Sequence, residues 1–472
     1  MEDAIHVTKA LDIRYLWVDR YCIDQTNEEE KHHTICNMDV IYEGAFITII
    51  AASGDGPDAG LPGVEQTPRS QLEFKFLDNG WYTVFQNPRV DIRKSIWSIR
   101  GWTYQEMLLS RRRLVFTPSQ IYFQCEKGHC VENAAQIGDK DDMPNSGIRH
   151  ATEGFPRLGT AYTDTYIYDR LEEYYYRQFS FNVDITKAFI GVLHAFDLED
   201  WSLPPRVPQR ESHGVVHWAT SSSSRHLRAS HVHGVPLFYF DEVPTERSRK
   251  SFLVGLTWKV SGNSTWPVLL QRSLVFPSWS WASIKCDRPT KDCGRLVFPQ
   301  RHVNVWSKLQ DDIRVYCYAG SQPLELTEYT KSCEDRGVLQ PWIDITSWSA
   351  GSVLQPATQT NGTGRLAGFK NGKLYLDYPK GQKEIPVILI LLGAFAALRH
   401  EEVILLVVEQ VNSYKTRRIG LFSSTFMLRS TIHDIVATIT PEYTFDYTGP
   451  ESDEGLSFVT QSMWRQRTLR LI

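Results

Sequence analysis

The sequence predicts an α/β domain at the N-terminus, followed by a helical segment and a β-rich C-terminal region. Helix and strand patterns alternate along residues 1–130, which is typical of an α/β domain. A helical pattern returns between residues 162 and 196, and from residue 251 onward strand patterns dominate, separated by Gly, Asn and Pro turns. The predicted domain limits are residues 1–130 for the α/β domain, 131–230 for a linker and helical segment, and 231–472 for the β-rich region.

The first elements alternate in the order helix, strand, helix, strand. Residues 4–11 have the pattern of the end of an amphipathic helix, and Arg14 to Asp19 form a short apolar run closed by an acid, which is typical of a buried strand. A polar turn with capping residues opens a predicted helix over residues 28–45, whose apolar side chains recur at spacings of three and four. Phe46 to Ala52 is the next predicted strand. Because the connections are short, we expect the two strands to be parallel neighbours.

Turn signals separate the later elements of the predicted α/β domain. A loop with four glycines and two prolines covers residues 54–63. A turn then leads into a helix within residues 98–110, and two strands are predicted at residues 113–116 and 121–125 around a Pro-Ser turn. The polar and acidic residues 131–155 indicate a linker or an exposed loop.

The second half of the chain contains its most apolar stretch. Residues 386–398 are too few to span a bilayer, which needs about 20 apolar residues. Together with residues 403–408, which follow a charged turn, they predict two buried strands. Residues 202–230 are rich in Pro and Ser and have the least ordered pattern of the interior.

Composition excludes several classes of protein. Apolar residues make up 42% of the chain and aromatic residues 12%, which is enough for a core and rules out a mostly disordered chain. The 51 basic and 55 acidic residues give a net charge of −4, which provides no global attraction to nucleic acid or to anionic membranes. The N-terminus lacks a secretory signal, and the eight cysteines lack the spacing of a disulfide scaffold. We therefore expect a soluble, cytoplasmic protein that binds neither nucleic acid nor membrane.

Three sequence blocks have the order and spacing of one known domain. They are residues 15–25 (YLWVDRYCIDQ), residues 51–63 with their Ala-Ala start and Gly-Leu-Pro-Gly end, and residues 100–106 (RGWTYQE). Together they resemble the fungal heterokaryon incompatibility (HET) domain proteins, specifically over residues 1–125 and loosely beyond. The resemblance implies a TIR-like α/β fold, with a parallel sheet and flanking helices.

One block of the family is missing from this sequence. HET domains usually begin with a strand motif of the form Leu-Ser-Tyr-x-Trp-Gly, whereas this chain begins at Met1 within the helix that would follow. We therefore expect an N-terminally truncated domain with one sheet edge left to be covered in another way. If the chain as given is complete, we also expect it to cleave NAD weakly or not at all, because the missing strand would have shaped one wall of the pocket.

The resemblance implies an effector of self/non-self recognition or defence that promotes cell death. Some members resemble NAD-cleaving enzymes, so NAD is the expected substrate, and no bound cofactor is expected. The implied partners are other HET-type or incompatibility proteins, or further copies of this chain in a homo-oligomer. Two alternatives remain open, namely a non-enzymatic TIR-like assembly module and a degenerate, inactive copy.

Glu106 is the candidate catalytic carboxylate. Cleavage of a nicotinamide–ribose bond passes through an oxocarbenium-like state that a carboxylate stabilises. The implied substrate-binding residues are Trp102, which would stack on the flat ring, Gln105, which would hold its amide, Asp19 near the ribose, and Arg100 on the diphosphate. The structural alternatives are a surface or capping role for Glu106 and an Asp19–Arg100 ion pair.

Other chemistry has weaker support in the sequence. Cys22 as the nucleophile of an unrelated hydrolase lacks a His at a spacing that predicts contact. The Cys and His residues at 32–36 and 125–130 do not have the spacing of a zinc site, so no metal is expected. Asp24 is expected to cap a turn or the following helix.

Overall fold

The computed structural model divides into two compact units. The first unit comprises Met1–Tyr162 and Arg177–Phe196, and the second comprises Thr163–Tyr176 and Asp197–Ile472. The residues that the structure describes are 1–56, 58–70, 72–75, 81–84, 87–132, 154–156, 166–196, 227–240, 244, 246–261, 270–286, 295–299, 312–330, 333, 339–355, 365–366, 373–377, 384–396, 400–427, 444–445, 458–459 and 464–472.

The helices of the described residues are short. None of them combines the length and the apolar character that a helix needs to cross a bilayer. The helices are α1 (Glu2–Ala10), α2 (Asp19–Cys22), α3 (Glu28–Cys36), α4 (Met38–Gly44), α5 (Pro88–Lys94), α6 (Ile96–Ile99), α7 (Thr103–Leu109), α8 (Tyr166–Tyr174), α9 (Asp184–Lys187), α10 (Ile190–His194) and α11 (Glu246–Gly255), with 3₁₀ turns at Trp281–Ser283 and Leu326–Glu328.

The longest strands of the described residues lie between residues 343 and 427. In chain order they are β1 (Thr48–Ala51), β2 (Leu72–Lys75), β3 (Trp81–Val84), β4 (Arg112–Phe116), β5 (Ile121–Cys125), β6 (Gly128–Val131), β7 (Leu227–Val232), β8 (Val235–Phe240), β9 (Lys259–Ser261), β10 (Leu270–Arg272), β11 (Ile284–Cys286), β12 (Arg295–Val297), β13 (Arg314–Ala319), β14 (Gln322–Glu325), β15 (Ile343–Gln355), β16 (Arg365–Leu366), β17 (Lys373–Leu376), β18 (Ile385–Ala396), β19 (His400–Asn412), β20 (Lys415–Met427), β21 (Thr444–Phe445), β22 (Phe458–Val459) and β23 (Arg465–Leu471).

The first unit has mixed α/β structure around a small sheet. Its described strands lie in the order β1-β4-β5-β6. β1 runs parallel to β4, with Ile50 opposite Val115, whereas β4–β5 and β5–β6 are antiparallel. Ile50 and Val115 are fully buried. The predicted strands at 113–116 and 121–125 are confirmed, and the sheet is parallel only in part.

The predicted strand from Arg14 to Asp19 is wrong. Residues 14–18 form no ladder, and Tyr15 is 77% exposed, so this apolar run is not buried on both faces as a central strand would be. Asp19 begins helix α2 instead. The strand predicted at 46–52 does form, as β1, but its parallel partner is β4.

The helix predicted over residues 28–45 is present but broken in two. The break lies at Asn37, whose side-chain amide donates to the carbonyl oxygen of His33 at 2.8 Å. Asn interrupts helices in this way because its side chain competes for backbone hydrogen bonds. The helical pattern between 162 and 196 is likewise interrupted, and its described helices are shared between the two units.

The second unit is β-rich, as predicted. Its largest described sheet follows the order β14-β13-β15-β18-β19-β20-β17, with β16 and β23 beside β15. The neighbours β18 and β19 are antiparallel, with Leu389 opposite Val407, which confirms the predicted pair of buried strands. The charged turn expected at residues 399–402 is wrong in most of its length, because His400 to Glu402 already belong to β19. Residues 397–399, like most of the two segments expected to be linker or poorly ordered, lie outside the described residues.

Two hydrophobic clusters explain why β18 is apolar at nearly every position. Ile388, Ile390 and Leu392 belong to one cluster, whereas Leu389 and Leu391 belong to the other. Successive side chains of a strand point to opposite faces, so a sheet that is covered on both faces needs apolar residues throughout.

A buried arginine connects several segments of the second unit. Arg418 on β20 is fully buried and donates from Nε to Asp377 Oδ2 at 3.0 Å. Its Nη1 donates to the carbonyl oxygen of Leu256 at 2.6 Å, and its guanidinium lies 3.5 Å from the centre of the Trp258 ring. Arg272 Nη2 lies 3.6 Å from Asp377 Oδ2. Asp377 therefore neutralises the charge of Arg418, which solvent does not reach.

Asp377→Asn is expected to lower the free energy of unfolding by about 3 kcal/mol, because it leaves buried arginine charge without its anion. Denaturant unfolding followed by circular dichroism measures the change. The matched control is Glu325→Gln. Arg314 Nη1 lies 3.8 Å from Glu325 Oε2, and the Arg314 side chain is 60% exposed. This substitution should lower the free energy of unfolding by less than about 1 kcal/mol. Equal effects of the two substitutions would contradict the assigned role of Asp377.

Candidate functional site

Helix α7 places one acidic residue among buried neighbours. Its first residue, Thr103, shares its one hydroxyl proton between the carbonyl oxygens of Trp97 at 2.5 Å and Arg100 at 2.9 Å, which fixes the turn before the helix. Every residue of α7 except Glu106 is buried, and Glu106 itself is half-buried. The helix therefore presents a carboxylate at the edge of the core rather than on open solvent.

Burial and one hydrogen bond define the state of the Glu106 carboxyl group. The indole Nε1 of Trp97 donates to Glu106 Oε1 at 3.0 Å. Burial raises the pKa of Glu106 from its ordinary 4.5 to about 7, and the negative charge of Asp19 acts in the same direction. The Trp97 bond and the positive charges of Arg100 and Arg177 oppose this rise in pKa. Glu106 thus changes protonation state close to neutral pH.

Residues from distant parts of the chain surround this carboxyl group. Asp19, at the start of α2, and Arg100, in the turn before α7, are both exposed. Tyr42 on α4 belongs to the same group, since burial and the charges of Glu106 and Asp19 raise its pKa. Trp17 packs edge-on against Tyr42, with 6.4 Å between ring centres. The structure therefore brings Asp19 and Arg100 into electrostatic range of Glu106.

The other two predicted binding residues lie differently. Gln105 is buried and donates from Nε2 to the carbonyl oxygen of Ala188 at 2.9 Å. Its Oε1 packs so closely on Gly191 that a Cβ there would lie 2.2 Å away. Trp102 is half-buried. Among the described residues, the indole that donates to Glu106 is that of Trp97 and not that of Trp102. Gln105 thus binds the chain's own backbone.

A later segment of the first unit pairs with the turn before α7. The N–H of Gln178 donates to the carbonyl oxygen of Ile99 at 2.6 Å, and the N–H of Gly101 donates to that of Gln178 at 2.9 Å. A Cβ on Gly101 would lie 1.9 Å from the Phe179 ring, so the glycine in the block at 100–106 permits this close approach.

Sequence reasoning does not identify Tyr42, Trp97 or Arg177 as neighbours of Glu106. The sequence assigns Tyr42 only to the apolar face of a helix, which is a weak signal for a site. Arg177 belongs to a segment without a recognisable motif, and no local pattern predicts that it approaches residue 106. The pairing of residues 99–101 with Gln178 brings Arg177 close to this position.

The remaining candidates have local structural roles. Cys22 is exposed, and its Sγ accepts the backbone N–H of Val18 at 3.4 Å. Asp24 accepts the N–H and the hydroxyl of Thr26, which lowers its pKa, and Asn27 caps α3. Within the described residues, no group of three or more His, Cys, Asp or Glu side chains has an arrangement that could hold a metal ion.

Comparison with known proteins identifies the N-terminal part of the chain. Residues 1–106 match the family model described as heterokaryon incompatibility protein (HET), which confirms the predicted HET domain over this range. The match ends at Glu106, so the segment Arg177–Phe196 lies outside it. No curated protein and no solved structure matches the chain.

The raised pKa of Glu106 predicts how stability depends on pH. Between about pH 4.5 and 7 the folded state holds a proton that the unfolded state has released, so this group's contribution to stability falls as pH rises. Glu106→Gln lacks the charge. Its free energy of unfolding, relative to wild type, should rise by about 3 kcal/mol across this window and level off above it.

Denaturant unfolding of both proteins from pH 5 to pH 8 provides the measurement. Glu43→Gln is the matched control, because it makes the same substitution at a side chain that is 60% exposed beside Arg111. Parallel pH profiles for wild type and Glu106→Gln would show that the carboxyl group titrates normally.

Proposed function

We propose that this chain, whose residues 1–106 match the HET family, is a fungal incompatibility-type effector that cleaves NAD at Glu106. NAD cleavage would then promote cell death in self/non-self recognition or defence, with a TIR-like fold carrying the site. The observation that supports the chemistry is the half-buried Glu106 carboxyl group, held by Trp97 and set among Asp19, Arg100 and Arg177.

The reaction needs a carboxylate that faces developing positive charge. As the bond between ribose C1′ and the nicotinamide nitrogen breaks, its electron pair leaves with nicotinamide and the ribose becomes oxocarbenium-like. Ionised Glu106 stabilises that charge, and water then adds to C1′ and releases a proton. The Trp97 hydrogen bond orients the carboxylate, while partial burial reduces its screening by water.

The exposed charges beside Glu106 suit the rest of the substrate. Asp19 can accept hydrogen bonds from ribose hydroxyls, and the planar guanidinium of Arg100 matches a diphosphate. We assign the nicotinamide stacking surface to Trp102, which is half-buried. Gln105 on α7 donates a hydrogen bond to the backbone of Ala188. We therefore propose that it stabilises the position of α7 and does not contact the substrate. We propose the cytoplasm as the location.

The alternative is a non-enzymatic assembly module. It is favoured by five large apolar or aromatic side chains of the first unit that are at least 64% exposed, namely Tyr15, Tyr21, Val40, Phe46 and Phe181. Exposed apolar surface of this kind is typical of interaction sites. In this alternative the partners are further copies of the chain or other incompatibility proteins, and Glu106 has no catalytic role.

Glu106→Gln should reduce turnover of NAD by about 10² to 10³, mainly in kcat, because it removes charge that matters in the transition state. In wild type, kcat/KM should rise with pH up to about 7 and then level off, since the ionised carboxylate is the active form. Nicotinamide release from NAD measures both effects.

Glu43→Gln again serves as the control and should retain wild-type turnover. Equal turnover in wild type and Glu106→Gln would exclude Glu106 as the catalytic group. An absence of turnover in the wild type, together with concentration-dependent oligomers in light scattering, would support the assembly module instead.

A further inference from the structure

Arg177 holds the turn and the helix that carry the candidate site. Its Nη1 donates to the carbonyl oxygen of Arg100 at 3.1 Å and to Thr103 Oγ1 at 3.2 Å. Its Nη2 lies 3.4 Å from the sulfur of Met107, and its guanidinium lies 4.9 Å from the centre of the Tyr104 ring. These contacts lie on both sides of Glu106 in the sequence, so one side chain spans the turn and α7.

The backbone beside Arg177 is fixed as well. Gln178 exchanges two hydrogen bonds with Ile99 and Gly101, and the Phe179 ring covers Gly101. The main chain next to Arg177 is therefore fixed by this pairing, and the guanidinium is fixed by its contacts with Arg100, Thr103, Tyr104 and Met107. A charge held in this way needs little reorganisation when a neighbouring group ionises.

Arg177 differs from Arg100 in its surroundings. Arg100 is exposed, so water and salt screen its charge, whereas Arg177 is half-buried against an aromatic ring. Both cations act on the Glu106 carboxylate, against the negative charge of Asp19. Water and salt therefore screen the charge of Arg177 less than that of Arg100.

We infer that Arg177 is a positioning residue of the Glu106 site, which supplies fixed positive charge beside the carboxylate and holds the Arg100 turn in place. For its catalytic consequence the inference rests on the proposed function. It also extends the functional unit past the family-matched residues 1–106, to the segment Arg177–Phe196. Arg177 makes and breaks no bond in the reaction.

The test must separate the effect of the Arg177 charge from the effect of its hydrogen bonds to the turn and to α7. The charged and titratable groups that act on Glu106 are Asp19 on α2, Tyr42 on α4, Arg100 and Arg177, and the first three stay unchanged. Arg177→Gln keeps a donor for the Arg100 carbonyl but removes the charge. Arg177→Lys keeps the charge but loses the planar set of donors.

The readout is the pH midpoint of Glu106 in protein without NAD. To obtain it, the free energy of unfolding is measured against pH for each Arg177 variant and for the double variant that also carries Glu106→Gln. The difference between the two curves gives the pH midpoint of Glu106. Arg177→Gln should move the midpoint up by about one pH unit, whereas Arg177→Lys should leave it near the wild-type value. With NAD, kcat of Arg177→Gln should fall about 10-fold, with its pH profile displaced in the same direction.

Arg112→Met is the matched control. Arg112 also donates to a carbonyl oxygen, that of Phe46 at 3.1 Å, and lies 4.9 Å from an aromatic ring centre, but it is not among the charges that act on Glu106. In this variant, the pH midpoint of Glu106 should equal that of the wild type.

Equal midpoints in wild type, Arg177→Gln and Arg177→Lys would overturn the inference and leave Arg177 a structural residue. If Arg177→Gln does not fold, Arg177→Lys decides, because a midpoint displaced by a full unit despite the retained charge would also overturn it. A wild-type protein that does not cleave NAD would refute the proposed function alone, since the midpoints are measured without substrate.

Discussion

The candidate site is built on the backbone pairing between residues 99–101 and Gln178. Two hydrogen bonds tie a turn of the matched domain to a segment far along the chain. The pairing is possible because Gly101 has no side chain, which lets the Phe179 ring occupy that space. It sets the direction in which α7 begins, and it delivers Arg177 to the same place.

The chemistry of the site follows from competition between burial and charge. A carboxyl group moved out of water prefers its neutral form, and Asp19 strengthens that preference for Glu106. Trp97, Arg100 and Arg177 pull the other way, so the two forms balance near neutral pH. Such a balance is common in sites that use a carboxylate, because a group poised near the working pH responds to small changes in its surroundings. A substrate with positive charge would favour the ionised form.

The second unit solves a different physical problem, the coverage of a large sheet on both faces. Long antiparallel strands satisfy their own backbone groups, and their alternating side chains divide between two apolar clusters. Arg418 is the exception in this apolar surrounding. It is accommodated because Asp377, two carbonyl oxygens and the Trp258 ring together replace the water it has lost.

Elements with a short-range signal can be predicted from the amino-acid sequence alone. The strands β4 and β5, the helix α7 and the pair β18–β19 follow from periodicity and turn residues, and the HET resemblance follows from three local blocks. Tertiary packing determines which elements meet. It leaves residues 14–18 outside the sheet, gives β1 the partner β4, and sets Gln105 against Ala188. It also places Arg177 beside Glu106, although the two residues are far apart in the sequence. Periodicity reports whether a side chain is buried, but the partner that buries it depends on packing across the whole unit, which no local pattern encodes.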